Sequence, residues 1–354
     1  MKTSMLKFIL AGLCCVLTGP ALAHAPRRLP PERPEQPSRT KRLGMDAERY
    51  ARRCQGQSIT RNVWPQGTML WGTRRGWGAR ENPDEQRSVL VSAELTPVRV
   101  GAAPTEPLHL RGGRLEAASE RGRGLVGTVL RGTSSDGEPV EVAVCGVEPA
   151  PGDSELEWYR VEAWNARAQR WENPCVATSQ VPDPRALAVR GVWDAQGTHQ
   201  EAAGRFTLAC ENGAITKCIR WGYKPWASHN GRSLAEVHQA CTRMARADYC
   251  GNGRSHTRQD TLIDMYDALG VLAPTLERSL AWNPERASFE AAWSPEGASC
   301  LARTRDRRAL ETVMNECPGR FQQGAAVALG EGDACTVART GTVAASALLR
   351  NRSY

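Results

Sequence analysis

The sequence predicts an α+β, β-rich fold, with an N-terminal antiparallel β domain followed by a disulfide-stapled α+β domain. Three observations carry that expectation. Residues 46–181 hold short alternating runs of apolar and polar residues separated by Gly, Asp and Ser turns, the pattern of antiparallel strands. Twelve cysteines are present, and the ten beyond residue 15 form an even set suited to disulfides. One segment of the second half, Ser233 to Ala247, combines a helix-start signal with apolar residues at helical spacing.

From the start of the chain, Lys2 and Lys7 accompany an apolar run, Phe8 to Leu17. Ala21-Leu22-Ala23 then offers a leader-cleavage site, with Ala23-His24-Ala25 a second candidate. Residues 1–23 therefore read as a signal peptide, which implies a secreted or periplasmic protein after cleavage near Ala23. The run is too short to span a bilayer. Cys14 and Cys15 lie inside it, but Leu13 and Cys14 stand where lipid modification wants a small residue. A soluble exported protein is expected over an anchored one. Residues 24–45, with five prolines between Pro26 and Pro37, carry too few apolar groups to offset ordering entropy and read as a disordered linker.

In 46–181, Leu108 to Leu115 reads as a hairpin with Gly112-Gly113 at its tip. Leu125–Leu130 and Val140–Val144 read as another, around Ser134–Gly137. Trp158 to Trp164 alternates, placing Tyr159, Val161 and Ala163 on one face. Gly67–Thr73 weakly echoes Gly127–Thr133, too few copies for a repeat architecture.

Pro182-Asp183-Pro184 reads as the boundary of the second domain, 182–340. There Phe206–Cys210 and Ile215–Trp221 read as a hairpin around Asn212-Gly213. A two-residue turn sets Cys210 and Cys218 on opposite faces, so they are not expected to bond each other. Ser233-Leu-Ala-Glu236 reads as a capping box. Leu234, Val237, Cys241 and Met244 follow as a buried stripe, and Gly251-Asn252-Gly253 supplies left-handed residues to end the helix. Thr261 to Leu269 reads as a second short helix, and 341–354 as a featureless tail.

The densest chemistry lies in Ala247-Asp248-Tyr249-Cys250-Gly251-Asn252-Gly253-Arg254-Ser255-His256. An acid, a phenol, a thiol and an imidazole surround a Gly-Asn-Gly turn. The stretch resembles the motif that names the ADYC domain family, a group of bacterial, mostly exported proteins. The resemblance covers roughly Ala186 to Cys335. It implies an export address and a fold unit, and it carries no catalytic residues.

Chemistry alone offers three candidate sites. Cys250 beside His256, with Asp248 or Asp260 orienting the ring, is a candidate nucleophile. Against this, Cys250 sits past a helix C-terminus, where the dipole opposes ionisation. A disulfide is the competing expectation, drawn from Cys54, Cys145, Cys175, Cys210, Cys218, Cys241, Cys250, Cys300, Cys317 and Cys335. His256 with Asp248, Asp260, Asp264 and Asp267 offers a general base or a divalent-metal set, but without a calcium-loop pattern; helix caps and turn hydrogen bonds compete. Close cysteine pairs of zinc-site spacing are missing beyond the leader, so neither a metal nor a cofactor is expected. Trp221, Tyr223 and Trp226 offer an aromatic platform for a glycan, or core packing.

The formal net charge is +8, falling to +6 without Lys2 and Lys7. Arginine dominates, with five lysines among 46 basic residues, and it is interleaved with acids. Only Arg303-Thr-Arg-Asp-Arg-Arg308 is dense, and it reads as a solvated helix start. Nucleic acid is not an expected partner. The expected function is an exported, non-catalytic binding or structural module of the bacterial cell envelope or extracellular space, partnered by a glycan or protein. The alternatives are a secreted hydrolase using His256 with Asp248 or a divalent metal, and glycan binding through Trp221, Tyr223 and Trp226.

Overall fold

The computed structural model describes residues 46–55, 90–98, 106–117, 124–134, 139–166, 169–175, 181–194, 196–258, 261–339 and 347–354. The signal-peptide and linker readings, the Gly67–Thr73 segment and Asp260 lie outside these residues.

A short helix, α1 (46–51), comes first. Eleven strands follow: β1 (Leu90–Val98), β2 (Leu108–Arg111), β3 (Arg114–Ala117), β4 (Val129–Ser134), β5 (Pro139–Pro149), β6 (Glu157–Asn165), β7 (Arg170–Glu172), β8 (Ala186–Arg190), β9 (Val192–Trp193), β10 (His199–Gln200) and β11 (Arg205–Cys210). Strands β5, β4, β1, β11, β8 and β6 pair in that order, and β5 pairs again with β6, closing an antiparallel barrel. Strand β7 extends from β6. The predicted alternation of β6 holds: Tyr159, Val161 and Ala163 join Val142, Val144, Phe206 and Leu208 inside the barrel. The β2–β3 hairpin forms across Gly112-Gly113, and β4 and β5 form a hairpin whose first strand is Val129–Ser134 rather than Leu125–Leu130. Leu108, Leu110 and Leu115 of β2–β3 pack into the same interior. Strands β8 and β11, after Pro182-Asp183-Pro184, share this barrel with β1, β4, β5 and β6, which precede it.

The rest of the chain runs α2 (Ala214–Arg220), β12 (Ser228–His229), β13 (Arg232–Ser233), α3 (Ala235–Arg246), β14 (Ile263–Asp267), β15 (Ser288–Ser294), β16 (Gly297–Leu301), α4 (Leu310–Glu316), β17 (Phe321–Gly330), β18 (Asp333–Arg339) and β19 (Leu349–Ser353). The six-stranded sheet has the order β14-β19-β15-β16-β18-β17, antiparallel throughout. Helix α3 lies between this sheet and the barrel's flank. Val237, Ala240, Cys241 and Met244 pack with Trp293, Leu301 and Leu349. On another face Gln239 donates to Gly197 O at 2.7 Å and accepts from Trp193 Nε1 at 3.1 Å. His238 bonds Ile215 O of α2 at 3.2 Å.

Four readings need correction. Ile215–Arg220 is helical, not the second strand of a hairpin. Ala214, Ile215, Cys218 and Ile219 make one buried helical face, and the Thr216 hydroxyl donates to Ala209 O at 2.9 Å. So short an amphipathic segment satisfies both periods, and the apolar flank of β8 and β11 (Leu187, Val189, Ala209) decided between them. Ile263–Asp267 is a strand, not a helix. Its two carboxylates accept amides of the following loop, Asp264 from Thr275 and Asp267 from Leu269, Val271 and Leu272. The stretch read as a tail contains β19, an interior strand between β14 and β15. Finally, Leu234 is the N-cap residue of α3, and Ser233 Oγ accepts from Ala235 rather than from Glu236.

All ten predicted disulfide cysteines are paired: Cys54–Cys145, Cys175–Cys210, Cys218–Cys241, Cys250–Cys317 and Cys300–Cys335. Five such bonds are what an extracellular or periplasmic chain acquires. Among the described residues no helix is long and apolar enough to cross a membrane.

Candidate functional site

The motif begins where α3 stops. Ala247 takes a left-handed conformation at φ 52°. Its amide bonds Met244 O and that of Asp248 bonds Arg243 O, both at 2.9 Å, the paired closure of a Schellman turn. The expected helix terminator was the Gly251-Asn252-Gly253 turn, yet an alanine performs the task four residues earlier. Its methyl belongs to the packed core beneath α3, which glycine would leave empty. Gly251 serves a different end. At φ 67°, a Cβ there would stand 1.8 Å from Glu296 O, so only glycine lets the motif loop touch the β15–β16 turn. Ala298 N donates to Tyr249 O at 2.9 Å and continues that contact.

Asp248 is fully buried. Its carboxylate accepts from Arg243 Nη1 at 2.6 Å and from the amides of Asn252 and Gly253 at 3.2 and 2.9 Å. Arg243, buried as well, spends its other donors on Gln196 O, Pro295 O and Thr198 Oγ1 at 2.6–3.1 Å. Neither group keeps a free face.

Tyr249 stacks on Trp293 at 5.3 Å between centroids. Its hydroxyl accepts from Arg305 N at 2.7 Å and donates to Glu290 Oε1 at 3.1 Å. Burial, reinforced by the Glu290 charge, pushes its ionisation far above the ordinary phenol range. Glu290 and Arg305 form a bidentate pair at 2.9 and 3.1 Å, both sealed from solvent. Arg305 also donates to Met244 O and Ala245 O, carbonyls of the last turn of α3, and to Thr257 Oγ1. Ser353 of β19 donates to Glu290 Oε2 at 2.7 Å. The motif thus ties α3, β15 and β19 around one buried ion pair.

Cys250 is bonded to Cys317, so the candidate thiol is not a nucleophile in this state. His256 is 1% exposed. Nδ1 faces Ala247 O at 3.1 Å and Nε2 faces Glu316 Oε2 at 2.7 Å, leaving neither nitrogen for a substrate. The carboxylate beside the ring is Glu316 of α4, not Asp248. Arg254 pairs with the other Glu316 oxygen at 3.1 Å.

The residues that sequence reasoning missed are Arg243, Glu290, Arg305, Glu316 and Ser353. Glu290 had one signal, a lone acid in the apolar strand Phe289–Trp293. The proposed carboxylate set does not gather at His256, because Asp248 serves the motif loop while Asp264 and Asp267 serve the loop after β14. Among the described residues one group has metal-ligand spacing, Cys54, Cys145 and Glu162. Its sulfurs form a disulfide, and Glu162 accepts the Cys54 amide at 2.7 Å.

The aromatic candidates separate. Tyr223 is buried with its hydroxyl on Asp267 at 2.9 Å. Trp221 packs at the edge of the α3 core. Trp226 lines a cavity of about 840 Å³ against the β2–β3 hairpin, and its Nε1 has no hydrogen-bond partner. His109, Glu116, Arg190 and Glu201 supply polar walls. A second cavity of about 530 Å³ shares His109, Leu110, Arg190 and Glu201, so the two form one groove.

The model of the family described as ADYC domain matches residues 122–307, just over half of the chain. No curated protein and no solved structure matches it.

Proposed function

We propose that this chain, which belongs to the ADYC domain family, is a non-catalytic binding module exported to the periplasm or beyond the cell, its leader removed near Ala23. One observation carries the reading: Asp248, Tyr249, Cys250 and His256 are all spent on internal bonds. A histidine base needs a nitrogen within reach of substrate, and a cysteine nucleophile needs a free thiolate. The motif is instead a clasp that fixes α3 to the sheet.

Binding then falls to a surface elsewhere, and the Trp226 groove is the best-equipped. It combines the Trp226 indole, apolar walls from Leu110 and Ala117, and planar polar side chains, the composition that holds a sugar ring. This supports the glycan reading in a narrowed form, through Trp226 without Tyr223. The test is calorimetry with hexasaccharides of N-acetylglucosamine and of glucose on the full chain, Trp226→Ala and His256→Asn. Binding should weaken at least tenfold in Trp226→Ala and persist in His256→Asn. Cleavage of either sugar by the wild type that His256→Asn abolishes would overturn the non-catalytic reading.

A further inference from the structure

The arginines of this protein are habitually paired with acids: Arg185 with Glu211 and Glu148, Arg243 with Asp248, Arg305 with Glu290, Arg352 with Asp333. One place breaks the habit. A cavity of about 560 Å³ is lined by Arg286, Arg303, Arg307 and Arg308 together with Tyr354 and Leu310. Among the described residues no Asp or Glu side chain lines it. Asp306 lies alongside and pairs with Arg308 at 2.9 Å. Among the described residues Arg286, Arg303 and Arg307 have no ion pair. Arg303 donates Nη2 to Ser353 Oγ at 3.0 Å, while its Nε is buried without a partner. The far wall is aromatic: Tyr354 stacks on Trp282 at 5.1 Å, and Arg286 stands over the Tyr354 ring at 5.3 Å.

Convergent guanidinia repel one another unless an anion joins them, and their planar forks match phosphate oxygens in pairs. A buried donor without a partner adds a cost that an arriving oxygen removes. The geometry points to a binding site for a phosphate group: the dianion between Arg303, Arg307 and Arg308, and the organic portion against Leu310. The same chemistry is presented by a soluble phosphate ester and by a lipid headgroup. This site shares no residue with the Trp226 groove and does not depend on it.

Calorimetric titration of the full chain with pyrophosphate tests the site. Saturable binding is expected, weakened at least tenfold in Arg303→Gln/Arg307→Gln and several-fold in Arg286→Gln. Arg286 is exposed, so that variant keeps the test valid should the double variant fold poorly. Arg111→Gln, in the other groove, should bind as wild type. Sedimentation with phosphatidylcholine vesicles, with and without phosphatidic acid, separates the sources. Capture by phosphatidic acid that pyrophosphate reverses identifies a lipid headgroup; pyrophosphate binding without capture identifies a soluble ester. Absence of both, or pyrophosphate binding unchanged in the arginine variants, overturns the proposal.

Discussion

The barrel and the region around the motif are held together by different forces. Inside the barrel, Val142, Val144, Val161, Phe206 and Leu208 form an apolar interior. Beneath α3, an apolar layer is interrupted by two sealed ion pairs, Arg243–Asp248 and Arg305–Glu290. Apolar packing is tolerant, because a side chain of similar volume can replace another. A buried ion pair is intolerant, because removing one partner strands the other without water. The motif region should therefore be the brittle half of the molecule.

The largest expected effect tests that contrast directly. Glu290→Gln leaves the Arg305 guanidinium uncompensated and should cost about 3–5 kcal/mol by urea unfolding. Leu208→Met in the barrel should cost less than about 1.5 kcal/mol. Equal losses would remove the distinction between the two regions. Replacing both partners, as Arg305→Met with Glu290→Leu, should cost less than Glu290→Gln alone.

A smaller effect comes from pH. Burial depresses the His238 pKa from 6.5 to about 3, and the neutral ring donates to Ile215 O. The unfolded chain takes up that proton first as pH falls. The stability is thus complete above the ordinary histidine value and is lost as pH drops from about 6.5 toward 3, by about 1.4 kcal/mol per unit. His238→Gln should flatten the dependence of the urea midpoint between pH 7 and pH 5. Parallel profiles for the two proteins would place the titration elsewhere.

The smallest effect concerns Ala247. Glycine would relieve the left-handed backbone, at about 1–2 kcal/mol, while losing a buried methyl and gaining freedom in the unfolded chain. Ala247→Gly should change stability by less than about 1 kcal/mol in a thermal or urea melt. A larger loss would mean that core packing, not the turn, dictates this residue.

The same contrast explains what could be read in advance. The hairpins β2–β3 and β4–β5 were legible from their turns. Strand β6 follows an alternation of period two, so its faces were legible residue by residue. The buried stripe of α3 was legible for the same reason at helical period. Strand β19 was not. Its inward residues are Leu349, Asn351 and Ser353, two of them polar, and they are buried because Asn351 accepts from Trp293 and Ser353 donates to Glu290. Arg305 was hidden in a basic run whose Arg307 and Arg308 face solvent. No local pattern distinguishes a sealed arginine from its exposed neighbours; the distinguishing partner, Glu290, lies fifteen residues away. The motif pointed to the right place, while the partners that define its role come from β15, α4 and β19.

The position of β19 also bears on the order in which the molecule can be made. The barrel is complete once residue 210 is available. The second sheet is not, because its neighbours β14 and β15 meet only through Leu349–Ser353. Until those residues have left the ribosome, and any translocation channel, two open strand edges wait unpaired and Glu290 lacks its serine. The first half can fold as it emerges, whereas the second must wait for Leu349–Ser353. A chaperone acting on this protein would therefore find its substrate in the motif half.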